Sequence, residues 1–118
     1  MAADSLEQLR QSLQRFAAAR DWDQFHSPKN LAMALIAEAA ELVEHFQWLN
    51  EEQSRRLDEA KLEAVSQELA DVLIYLVRTA DKLGIDLIAA ARKKMAINEA
   101  RYPADKVRGD ARRASEYE

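Results

Sequence analysis

The chain has 118 residues, with 17 basic and 21 acidic side chains and a net charge of −4, a length suited to one domain. That balance argues against a general nucleic-acid binder, which carries a basic surface. The absence of cysteine excludes a disulfide scaffold and a thiolate metal site.

Two glycines and two prolines stand among long runs of Ala, Leu, Glu, Lys, Arg and Gln, which predicts an all-α protein. The first helix is expected to start at Ser5, with Gln8 three residues later in a capping-box pattern and Leu6, Leu9, Leu13 and Phe16 as its apolar stripe. The segment RDWDQFH, residues 20–26, breaks the pattern and reads as a loop carrying Trp22, Phe25 and His26 over the core. Ser27 is a good cap and Pro28 a good first residue for the central helix. Leu31, Leu35, Leu42, Phe46 and Leu49 recur at helical spacing and extend that helix to Leu49.

Residues 50–58 are polar and read as a short loop or frayed helical end. The third helix is expected over 59–82, apolar nearly all round across LADVLIYLV, so it needs neighbours on several sides. Gly84 stops it, Asp86 caps a fourth helix to Arg101, and Pro103 helps to end that one. Residues 1–103 thus form one four-helix bundle domain, part of whose core is supplied by another copy of the chain. Residues 104–118 form a charged tail, expected to be disordered or to lie over a partner subunit. No apolar run approaches the roughly 20 residues of a membrane span. The N-terminal stretch lacks the basic start and apolar core of a signal peptide. A cytoplasmic location with no membrane partner is the expectation.

Two oddities carry the chemistry. Glu38 falls inside the buried stripe of the central helix and Glu41 lies at its edge, three residues on, so both point the same way. Glu68 and Asp71 repeat the spacing on the third helix, with Tyr75 one turn later. If the helices lie antiparallel, the four carboxylates converge, and like charges brought together out of water need a cation between them. Taken alone, Glu68 reads as a solvated helix acid; Asp71, in an apolar run, does not. Four oxygen donors and no soft ligand suit a hard divalent cation, Mg²⁺ first and Mn²⁺ second. A di-iron bundle would want Glu-x-x-His on two helices, and neither His26 nor His45 lies three residues after a glutamate.

The pattern Glu38-x-x-Glu41, a spacer of 26 residues, then Glu68-x-x-Asp71 resembles the metal motif of the all-α MazG-like nucleotide pyrophosphohydrolases. RDWDQFHSPKNLAMALIAEAAELVEHFQWL, ELADVLIYLV and KMAINEARYP look like the dCTP pyrophosphatase branch, over roughly residues 5–103. The resemblance implies Mg²⁺-dependent hydrolysis of a nucleoside triphosphate between its α and β phosphates, with dCTP or a modified dCTP as substrate. It implies a homodimer or homotetramer, and Glu38, Glu41, Glu68 and Asp71 as catalytic metal ligands. It further implies a base pocket of Trp22, Trp48, Tyr75 and Asn98, joined by His26. An indole can stack on a pyrimidine and an amide can read a base edge. Lys94 and Arg101 share the face of Asn98 and are the phosphate partners. The sequence departs from that branch at Leu13, where relatives carry a histidine near the base. The alternative is a non-catalytic helical interaction module whose acids are merely solvated.

Overall fold

The computed structural model describes residues 5–117. Residues 1–4 and 118, assigned from sequence to the start of the domain and the end of the tail, lie outside the described residues. Every regular element described is helical: α1 (Leu6–Ala19), α2 (Pro28–Glu44), α3 (Glu51–Ser54), α4 (Glu59–Lys82), α5 (Leu87–Arg101) and α6 (Ala104–Val107). Single 3₁₀ turns cover Asp23–Phe25 and Ala114–Tyr117.

Local chemistry explains the boundaries. The Ser5 hydroxyl accepts the Gln8 N–H, Ser27 that of Asn30, Asp58 that of Lys61 and Asp86 that of Ala89, at 2.8–3.1 Å. Each such cap contributes about 1 kcal/mol. At the end of α4, Gly84 adopts φ +67°, which lets the Ile85 N–H reach back to the Ala80 carbonyl at 2.9 Å and closes the helix.

The central helix is shorter than its periodicity suggests. It ends at Glu44, and residues 45–48 form successive turns, with His45 and Phe46 donating three residues back to Leu42 and Val43. The reason lies just ahead. Asn50 and Gln53 form a reciprocal capping box, which starts α3 where a loop or frayed end is expected and so forces the chain to break before it. Trp48 therefore sits in a turn rather than on the face of a continuous helix.

Two compact units divide the chain between Ile85 and Asp86. In the first, α2 and α4 make the most extensive helix contact and α1 lies against α4. The α2–α4 pair is antiparallel, since His45 beyond the end of α2 meets Lys61 near the start of α4, while Glu38 meets Glu68 further along. Among its described residues the buried apolar ones are few: Ala17, Leu31, Val65, Val77 and Ala80. Leu62, Leu69, Leu73 and Leu76 remain 41–54% exposed. At 3.6 residues per turn they form one stripe centred roughly 110° round α4 from Glu68. The second unit contains α5 and α6, with Ile88, Met95 and Ile97 all exposed. No helix among the described residues is long and apolar enough to cross a membrane.

Leu31, 1% exposed on the first turn of α2, is the largest fully buried side chain. Leu31→Ala is expected to cost roughly 2–5 kcal/mol, read as a lower denaturation midpoint in urea with helix content retained at zero denaturant.

Candidate functional site

The carboxylates meet where α2 and α4 run side by side. Glu38, Glu41 and Glu68 bring one oxygen each within 4.8 Å of one another. Glu68 is not a solvated helix acid: its side chain is 18% exposed. Glu38 Oε2 and Glu68 Oε2 are both shielded from water, and neither has a hydrogen-bond partner. A buried carboxylate oxygen without a partner is costly, and native proteins rarely leave one so. Asp71 stands outside the 4.8 Å group but acts on Glu38 through its charge. The three clustered acids and Asp71 are all hard oxygen donors, and the orphaned oxygens fit a hard cation placed among them.

The electrostatics agree. Burial first, then the neighbouring carboxylates, with Glu41 ahead of Asp71 and Glu68, push the Glu38 carboxyl up to about 7. Desolvation and like charge both disfavour the ionised form. A bound dication would remove the second cause and reverse the shift.

Beside the acids lies a short polar chain. Lys61 Nζ is 3.2 Å from His45 Nδ1. An ammonium only donates, so Nδ1 accepts and the ring proton sits on Nε2, which lies 3.9 Å from Glu68 Oε1. His45 thus accepts from Lys61 and points its N–H toward an acid of the cluster, beyond hydrogen-bond distance.

Trp22 and His26 flank the 3₁₀ turn between α1 and α2, with ring centroids 6.3 Å apart. Trp22 meets Phe16 edge-on at 5.7 Å, and its backbone N–H donates to the Ala17 carbonyl at 3.0 Å. Asp21, just before it, holds φ +54°, a left-handed conformation that aspartate tolerates better than most residues. Tyr75 lies half-buried on α4 one turn from Asp71, and Trp48 is 87% exposed. Lys94, Asn98 and Arg101 are exposed residues of α5 in the second unit. The structure therefore brings together the acids, and separately Trp22 with His26.

Sequence reasoning missed a second charged group, built on Arg78. This residue is 3% exposed and bonds Asp23 Oδ1 at 2.9 Å and Asp81 Oδ2 at 3.5 Å. Lys82 reaches Asp23 at 2.8 Å and Arg10 of α1 reaches Asp81 at 2.9 Å. The available signal was its place: Arg78 directly extends the apolar run of α4, one position beyond Val77.

Comparison with known proteins bears on this arrangement. The profile of the MazG-like family matches residues 33–116. The chain is 44% identical over 114 residues to dCTP pyrophosphatase 1 of Homo sapiens, covering 95% of this chain and 67% of that protein. It is 43% identical over 109 residues to the Bos taurus protein of the same name, covering 91% and 64%. It therefore spans about two thirds of the length of these relatives. A pyrophosphatase from Archaeoglobus fulgidus superposes with a TM-score of 0.80 at 38% identity, over 87% of this chain and 96% of that one.

The Glu38 shift has a measurable sign. An ordinary glutamate titrates near 4.5 and folded Glu38 near 7, so the folded chain keeps a proton that the unfolded chain releases in between. The contribution of this group to metal-free stability is full below about 4.5 and lost as pH rises to about 7. Thermal denaturation is expected to show Mg²⁺ raising the midpoint more at pH 8 than at pH 5.5. Glu38→Gln should raise the metal-free midpoint at pH 8 and shrink the Mg²⁺ response.

Proposed function

The chain belongs to the MazG-like family, and from that membership we propose that it is a cytoplasmic, Mg²⁺-dependent nucleoside triphosphate pyrophosphohydrolase. Its reaction is hydrolysis of the α–β phosphoanhydride of dCTP or a modified dCTP to the monophosphate and pyrophosphate. The observation that carries the reading is the convergence of Glu38, Glu41 and Glu68 within 4.8 Å, with two of their oxygens buried and unpartnered. Likeness to proteins named dCTP pyrophosphatase 1 supports the substrate class.

In this reading Glu38, Glu41, Glu68 and Asp71 hold the cation, with Mn²⁺ as a substitute for Mg²⁺. When bound, the ion supplies charge neutralisation of the triphosphate and activation of water. The protein's own part is positioning. Glu38, its carboxyl pushed up to about 7 by burial and its neighbours, would release its proton to solvent on binding a cation. His45, held by Lys61, presents an N–H toward Glu68 and limits where that carboxylate swings. Trp22, with Phe16 against its edge, offers an indole for base stacking, beside His26. Tyr75 lies one turn from Asp71, suited to the sugar, and Trp48 is the second stacking candidate. Asn98 is assigned to a base contact from resemblance, and Lys94 and Arg101, at helical spacing beside it, to phosphate contacts.

The second part of the proposal is a homodimer or homotetramer. The leucine stripe of α4 supports it, because a chain in water rarely leaves such an apolar stripe uncovered, and the exposed apolar residues of α5 are a separate observation to the same effect. Light scattering on the purified chain is expected to return twice or four times the monomer mass.

The decisive assay is a panel of nucleoside triphosphates with Mg²⁺, scored for monophosphate and pyrophosphate. Release of both from dCTP is expected, and chelation should abolish it. Glu41→Gln and Asp71→Asn should each reduce kcat by at least about a hundredfold with the circular dichroism spectrum unchanged. Full activity in either variant would sink the metal assignment, and no turnover of any triphosphate would favour the non-catalytic module.

A further inference from the structure

Arg78 is the buried polar side chain for which the metal site has no use. Its Nη2 donates to Asp23 Oδ1 at 2.9 Å and to His26 Nδ1 at 3.1 Å, while Nη1 faces Asp81 Oδ2 at 3.5 Å. Its Nε has no partner. For stability alone this is a poor arrangement, since burying a guanidinium with one donor unsatisfied costs more than burying an apolar chain of similar volume.

What the arrangement gains is geometry. Asp23 follows Trp22 directly, and His26 closes the turn three residues later. Among the described residues, the hydrogen bonds from segment 21–26 to α4 all run through Arg78 and Lys82. Because arginine donates only, its bond to Nδ1 also fixes the His26 proton on Nε2. Burial and the nearby guanidinium hold that imidazole's pKa below its usual value, which keeps the ring neutral. Arg10 fastens Asp81 from α1 at 2.9 Å, so the guanidinium is itself held from the far side.

We propose that Arg78 is a positioning residue for the nucleotide base: it pins Asp23 and His26, and so holds the Trp22 indole in place between α1 and α2. The proposal rests on the reading of Trp22 and His26 as base contacts, and assigns to Arg78 no contact with substrate. A fork that bonds two residues of one turn at once is replaceable by lysine only in part.

The test uses the full chain and two readouts. The chain has two tryptophans, so Trp48→Phe leaves Trp22 as the sole indole. In that background Arg78→Met is expected to shift Trp22 emission to the red and increase its quenching by acrylamide. In the chain with both tryptophans, Arg78→Met should raise KM for dCTP about tenfold while kcat stays within about threefold. The Mg²⁺ requirement should not move, and Arg78→Lys should recover part of the KM. Asp23→Asn, at a residue 46% exposed, tests the same link without emptying a buried site. Unchanged quenching in both the Arg78→Met and Asp23→Asn variants would overturn the proposal, as would a loss confined to kcat. If the parent chain turns over no triphosphate, the enzymatic reading fails by itself, and the quenching comparison still decides the role of Arg78.

Discussion

Glu38, Glu41, Glu68 and Asp71 repel one another across the contact between α2 and α4, which is also the most extensive helix contact in the chain. The two helices are therefore held together by apolar packing around a site that pushes them apart. Relief comes from two sources with different reach. A proton on Glu38 removes one charge, and the high pKa of that group reflects this. A dication bound there would remove two and would also satisfy the shielded oxygens of Glu38 and Glu68. Either relief would strengthen the helix pair, the second more than the first.

Further along α4 the opposite problem is solved with the chain's own groups. Arg78, Arg10 and Lys82 are matched by Asp23, Asp81 and Glu7, three cations to three anions. Its charges balance without an ion from outside, although Arg78 Nε is left without a partner. It joins α1, the turn before α2 and α4, so the segment carrying Trp22 is fastened to α4 by charge and to α1 by the Phe16 contact. One helix therefore carries an unbalanced acid site in its middle and a balanced cluster toward its end, about ten residues apart or some 15 Å along the axis.

Much of this was legible in the residues themselves. Capping side chains and Gly84 mark the starts of α1, α2, α4 and α5 and the stop of α4, because those signals act over three or four residues. The acid pairs were legible because spacing on a helix dictates direction. The end of α2 was not, since its apolar period runs on to Leu49 while the capping box at Asn50 breaks the helix first. Position 78 was harder still. Its place at the end of the apolar run hints at burial but names no partner, since Asp23 lies 55 residues away. Long-range ion pairs leave no periodic trace.

The small interior has a consequence for how the chain behaves in solution. Among the described residues five apolar side chains are buried, far short of what usually offsets the conformational entropy of a domain this long. If a second copy covers the leucine stripe of α4, most of the apolar burial belongs to the assembly rather than to the single chain. Folding then becomes a reaction of order higher than one. Dilution alone would shift it toward the unfolded side, so the amount of protein present would help to decide whether the acid site exists at all.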